Sequence, residues 1–255
     1  MRPAESEAHY AGDPDAPIQP LDGGPRCDYC ENKRFVLSST GELKPCPKCN
    51  MVALWQLDTL RAFSSTSAVS QSQTFLNFQI EFNGKEEEIL RACLLEAEDF
   101  ANSPDGRWLV IWGERGSGKS HLCAAVDNHL RQAGIPSLFI TAPDLLASLR
   151  QAMEMQAEDE PGSYSRRMHI VKTAPVLILD DISAELSTPW ADSVLFEILD
   201  YRYRNRLPTM IVTNSHPDNL EPRISSRIQD TSLCRVIENA APDYRRRPRE
   251  EKRAS

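Results

Sequence analysis

The chain has 255 residues, 40% of them hydrophobic, with 29 Lys and Arg against 37 Asp and Glu and a formal net charge of −8. This supports one large core with room for a small second unit, and no apolar run approaches the ~20 residues that a membrane-spanning helix needs. The acidic balance excludes a generally basic coat but not a local basic stripe. The N-terminus lacks the basic-then-apolar pattern of a secretory signal, so a cytoplasmic location with no membrane partner is expected.

Residues 1–25 hold five prolines, scattered acids and few large apolar groups, the composition of a disordered leader. Two C-x-x-C pairs follow, Cys27 with Cys30 and Cys46 with Cys49, separated by 15 residues. Each pair forms a turn that aims two sulfurs at one point, and the intervening loop brings the turns together. Four soft thiolates in tetrahedral reach favour Zn²⁺ over Mg²⁺ or Ca²⁺, and a shell with no open position makes such a metal structural. Two disulfides are the alternative, disfavoured in a reducing compartment. Cys93, Cys123 and Cys234 fall in apolar helix or strand patterns and are expected as inert core residues.

Leu54, Leu57 and Leu60, with Trp55 beside them, give residues 51–63 the pattern of a short amphipathic helix. The Ser/Gln-rich stretch 64–73 reads as a linker. A zinc-binding module over 26–63 is thus followed by a second unit, expected over 74–240, and a basic tail over 241–255.

Within the second unit, the run Trp108, Leu109, Val110, Ile111, Trp112 suits a buried strand, and residues 113–120 read Gly-Glu-Arg-Gly-Ser-Gly-Lys-Ser. A helical pattern begins at Ser120. This strand–loop–helix context is that of a phosphate-binding P-loop. Gly113, Gly116 and Gly118 let the backbone curl, with Ser117 between them, so that successive N–H groups face the phosphates. The helix N-terminus adds a favourable partial charge. Lys119 would reach the β- and γ-phosphates of a nucleoside triphosphate, and Ser120 would ligate Mg²⁺. His121, directly after the loop, is grouped with these residues as a structural neighbour rather than a metal ligand.

Gly134 is placed as a helix C-cap, 137–141 as a second strand, and Pro143 and Asp144 in the first turn of the next helix. Residues 176–181 are four apolar residues ending in Asp180 and Asp181, the form of a Walker B strand. Asp180 would hold the Mg²⁺ shell and Asp181 would polarise the attacking water. A further strand, 209–213, leads into Asn214, where a polar side chain could orient that water. Arg223 and Arg227 lie four apart on one helical face, either as surface charges or as arginines that enter a neighbouring subunit's nucleotide site.

Taken together, residues 74–78, 113–122, 141–146, 177–182, 202–209, Asn214 and 223–228 resemble the AAA+ ATPases of the DnaC/DnaI helicase-loader and IstB-like group, over about residues 74–245. The cysteine module, with Pro45 before its second pair, resembles the zinc-binding N-terminus of some bacterial and phage loaders. The resemblance implies an α/β fold with a parallel central sheet and no C-terminal lid. It also implies ATP hydrolysis, expected to be slow because the shorter Asp181 must position the water, together with binding to a hexameric replicative helicase through the N-terminal module and delivery of that helicase onto single-stranded DNA. Self-association through the AAA+ domains is implied, with Arg227, or Arg223 as second choice, reaching the neighbour's γ-phosphate. Arg166 and Arg167 are the implied DNA contacts, against a solvated loop, and Arg245 is a candidate nucleotide sensor, against a basic tail. One departure is Asp181, where many relatives have Glu. Two other readings remain: an IstB-like transposition helper acting on duplex DNA, and a small-molecule kinase, which has no use for Asn214, the arginines or a zinc module.

Overall fold

The computed structural model describes residues 35–37, 43–45, 60, 63–80, 84–154, 163–183 and 187–246. Five strands form one parallel sheet: β3 (Trp108–Trp112), β4 (Ser137–Thr141), β5 (Val176–Ile182), β6 (Thr209–Thr213) and β7 (Cys234–Glu238), in the order β4-β5-β6-β3-β7. The near-continuous apolar runs follow from burial on both faces, as parallel strands require. Alternate residues of each strand divide between two cores. Leu109, Ile111, Phe139, Ile178, Met210 and Val212 pack with α2 (Lys85–Asn102) and α3 (Lys119–Gln132). Val110, Leu138, Ile140, Leu177, Leu179 and Ile211 pack on the other face, against α4 (Ala142–Glu154), α5 (Ser163–Thr173), α6 (Pro189–Arg204) and α7 (Pro222–Ile228). The helices offer the matching stripes, Leu90, Cys93, Ala97 and Phe100 on α2 and Leu145, Leu149 and Ala152 on α4.

Helix ends follow their sequence signals. Gly134 takes φ +72° just beyond α3, the left-handed position that glycine favours after a helix. Thr188 caps α6 by accepting from the Ala191 N–H, and Glu221 caps α7 by accepting from Ile224. Pro143 and Asp144 stand in the first turn of α4.

The stretch 64–73, expected as a linker, is instead packed onto the sheet domain. It contains the short helix α1 (Ala68–Ser72). Ser64 Oγ donates to Phe139 O at 2.7 Å, Ser65 Oγ to Asp144 at 2.6 Å, and Arg131 donates to Thr66 Oγ1 at 3.0 Å. A Ser/Gln-rich composition reads as flexible, yet the same side chains satisfy the backbone of an irregular segment laid against a helix. Leu60, just before it, is buried in the core on the α4–α7 face.

Toward the N-terminus, β1 (Phe35–Leu37) pairs antiparallel with β2 (Leu43–Pro45), between the two cysteine pairs in sequence. Cys27, Cys30, Cys46 and Cys49 lie outside the described residues, as do most residues of the helix expected over 51–63. Among the described residues, no helix is long and apolar enough to cross a membrane. Cys93, Cys123 and Cys234 are free and buried, and burial pushes the Cys93 and Cys234 thiols up to about 12.

Arg202 on α6 is fully buried, and among the described residues no carboxylate pairs with it. Its guanidinium donates to the carbonyls of Val171, Lys172 and Ala174 at the C-terminal end of α5, to Pro208 O, and to Thr209 Oγ1. Burial pulls its pKa down to about 9, so it stays charged at neutral pH. The cation sits where the α5 dipole is negative and ties two helices to the start of β6. Arg202→Met keeps the volume but strands these acceptors, and urea unfolding should show a loss of about 3 kcal/mol.

Candidate functional site

Strand β3 ends at Trp112, and the glycine-rich loop that follows turns the chain into α3 at Lys119. Gly116 has φ +82°, and a Cβ there would collide with the carboxylate of Asp243, so only glycine fits. Gly118, at φ +91°, is the residue before the helix, and a Cβ there would lie 2.9 Å from the Phe78 ring. Gly113 packs as closely against the Asn239 backbone. The fully buried Asn239 donates from Nδ2 to Ser117 O at 2.9 Å, and Tyr244 N–H donates to Gly116 O at 3.0 Å. The loop is therefore held from outside by the segment that follows β7.

Lys119 is buried, and its Nζ donates to Gly113 O at 2.7 Å and Glu114 O at 2.6 Å. Burial lowers its pKa, against the pull of Asp180 and Asp181. The cation is thus tethered inside the loop at the N-terminus of a 14-residue helix, a site built for an anion.

Register brings the acids to the same place. Thr141 and Asp180 are partners across β4 and β5, and both end at the edge where the loop sits. Asp180 is 5% exposed and is hydrogen-bonded to Ser120 and the Asp181 backbone, and among the described residues its buried Oδ1 has no hydrogen-bond partner. Burial raises its pKa above the usual carboxylate value. A hard oxygen left unpaired beside a hydroxyl is a donor set that fits Mg²⁺. Asp181 stands in the left-handed region at φ +59°, where the β5–β6 register shifts between Leu179 and Ile182. Asn214, just past β6, donates from Nδ2 to Asp181 Oδ1 at 2.6 Å.

These groups line a cleft of about 740 Å³ that is also walled by Val69, Phe78, Leu90, Pro242 and Tyr244, with Gln79 hydrogen-bonded to the Tyr244 hydroxyl. Charged and hydroxyl groups beside apolar walls suit a ligand that carries both characters, as a nucleotide does. Gln79, Asn239 and Asp243 escaped the sequence reading, since a polar residue outside a motif gives no signal until the chain ends are brought together. Residues 241–246, expected within the basic tail, include the short turn Tyr244–Arg246 that closes this wall, and Arg245 lines the cleft.

The remaining candidates lie elsewhere, for neither arginine of α7 and neither of α5 lines the cleft. Arg227 pairs with Asp200 at 3.1 Å and Arg223 with Glu221 at 2.7 Å, and both guanidiniums lie over Phe196, at 5.8 Å and 4.2 Å. Their side chains are 31% and 54% exposed. On α5, Arg166 is exposed, whereas Arg167 donates to Ser148 O at 2.7 Å and Ser148 Oγ at 2.8 Å and so braces α4. His121 faces the cleft from the first turn of α3, and its Nε2 lies 3.0 Å from Thr74 O.

In sequence the chain is 34% identical over 117 residues to the replicative helicase loader DnaI of Bacillus subtilis, covering 46% of this chain and 36% of that protein. It is 23% identical over 169 residues to the replicative helicase loader DnaC of Escherichia coli strain K12, covering 66% of this chain and 65% of that one. The chain thus spans less than two thirds of the length of these curated relatives. A crystal structure of DnaI superposes with a TM-score of 0.55 at 23% identity, covering 71% of this chain and 94% of that one, so the fold is shared. The architecture is that of an AAA+ P-loop NTPase. The family model described as IstB-like ATP binding protein matches residues 60–237, well over half of the chain. The chain belongs to the IstB-like ATP binding protein family.

Proposed function

We propose that the chain is an ATP-hydrolysing helicase loader, which binds a replicative hexameric helicase and delivers it onto single-stranded DNA in an ATP-dependent way. The observation that carries this reading is the convergence of Lys119, Ser120, Asp180, Asp181 and Asn214 on one cleft. The names of the two relatives, both replicative helicase loaders, support the choice of partner.

In this reading, Lys119 and the N–H groups of the loop and the first turn of α3 bind the phosphates. Ser120 and Asp180 would hold Mg²⁺, which when bound neutralises charge on the transferring phosphate. Asp181 accepts the proton of the attacking water. Asn214 positions that water and, in its absence, keeps the Asp181 carboxylate aimed by the 2.6 Å bond. The apolar walls receive the base.

The arginine that completes a neighbour's site is expected on α7. Arg227, the first candidate, is engaged by Asp200, Phe196 and Tyr203, which favours the more exposed Arg223 for reach with Arg227 buttressing it on the same ring. Of the two arginines on α5, Arg166 is the one with its head in solvent, so the DNA contact is assigned to Arg166 and the bracing role to Arg167. The four cysteines form a zinc module, which is supported by the spacing of the two pairs and by the hairpin β1–β2 between them. That module, over 26–63, engages the helicase.

Lys119→Ala should weaken Mg·ATP binding by about 1.5–3 kcal/mol, or about 10- to 100-fold, in calorimetric titration. Asp181→Asn should leave that affinity within a few-fold and lower turnover by about 10²–10⁴-fold. Unchanged turnover in both variants would remove the assignment.

Elemental analysis should find one zinc per chain, lost in a Cys27→Ser/Cys46→Ser double variant. A metal-free wild type with paired disulfides would overturn the zinc reading.

ATP and single-stranded DNA should each tighten the other's binding by the same factor, because both favour one assembled state. Arg223→Ala should reduce that coupling and ATP-driven assembly while sparing ATP binding. Arg166→Ala should lower the slope of log affinity against log salt by about 0.7, the share of one phosphate contact. A preference for duplex DNA in the ATP state would point instead to transposition-helper chemistry.

A further inference from the structure

Part of the cleft wall comes from residues 68–79, where α1 and a short turn over Phe75–Asn77 are joined by irregular backbone that precedes the sheet in sequence. An irregular segment keeps its shape only if its carbonyls are satisfied. Two side chains of α3 do this from one helical face, because His121 and Asn128 are seven residues, or two turns, apart. Asn128 Nδ2 donates to Gln73 O at 2.6 Å and Ser70 O at 2.8 Å. His121 Nε2 lies 3.0 Å from Thr74 O and 3.1 Å from Asn77 Oδ1. Both are acceptors, since Asn77 Oδ1 already takes the Thr74 N–H at 2.8 Å while its amide nitrogen donates to Ser72 O. Nε2 must therefore carry a proton. The ring also meets Phe78 edge-on at 5.2 Å, and Phe78 in turn touches the loop at Gly118.

We infer that His121, seconded by Asn128, is a positioning residue for the nucleoside half of the ligand: it fixes the wall that carries Phe78 and Gln79 at a set distance from the phosphate cradle. The inference rests on the nucleotide reading of the cleft. It assigns the His121 side chain no contact with phosphate or metal. The side chain acts through the segment it suspends, so binding of a bare phosphate chain does not depend on it. Only a ligand that also meets the apolar walls does.

The test compares two probes, Mg·ATP and inorganic tripolyphosphate with Mg²⁺, on the full chain. His121→Ala should weaken Mg·ATP binding about five- to tenfold, the worth of one or two lost hydrogen bonds. It should leave tripolyphosphate affinity within twofold, and that retained affinity also reports an intact loop. His121→Gln places an amide donor where Nε2 stood and should recover most of the ATP affinity, whereas His121→Asn, too short to reach Thr74 O, should not. Asn128→Ala should reproduce the ATP-selective loss. Equal loss of both probes in His121→Ala, or no rescue by Gln, overturns the inference and leaves the nucleotide site standing. A wild-type chain that binds neither probe overturns the nucleotide reading and this inference with it.

Discussion

Parallel pairing obliges all five strands to end at one edge of the sheet, and the chemistry of this molecule depends on that constraint. A chain leaving β3, β5 or β6 must turn there, so whatever follows each strand is thrown together. The glycine loop follows β3, the two acids close β5, and Asn214 follows β6. None of these segments is near another in sequence. Their meeting is a matter of strand order, with β6 seated between β5 and β3 so that Asn214 reaches Asp181.

Convergence concentrates charge in a poorly hydrated place. Lys119 and Asp180 are each 5% exposed, and burial pushes both toward neutrality. Neither is fully matched, for the lysine bonds to carbonyls and, among the described residues, one oxygen of Asp180 has no hydrogen-bond partner. Such an arrangement is costly unless a further charge arrives. Arg202 shows the opposite solution: deeper still, it meets its needs within the chain and is structural.

The sheet domain was legible where its signals are local. Apolar runs gave four of the five strands, β7 having escaped, and the loop, both acids and Asn214 stand at the ends of three of them. What escaped is the packing of polar segments around that framework. Residues 64–73 read as a linker because Ser and Gln carry no periodicity, though their hydroxyls and carbonyls tie the segment to Phe139, Asp144 and Asn128. Asn239 and Asp243, which grip the loop, lie over 100 residues from it and match no pattern. Arg167 illustrates a different limit, since a basic residue on an open helix looks the same whether it awaits a phosphate or braces the next helix.

The left-handed backbone at Asp181 also bears on the choice of acid. Aspartate tolerates φ +59° better than most residues, because its short side chain can bond locally. Glutamate there would meet the steric cost of this conformation and would carry its carboxylate one methylene beyond the Asn214 amide. Backbone shape and acid length are thus one half each of a matched pair. The turned strand end and the short side chain together bring the carboxylate to 2.6 Å from the Asn214 amide, and neither could change alone without breaking that contact.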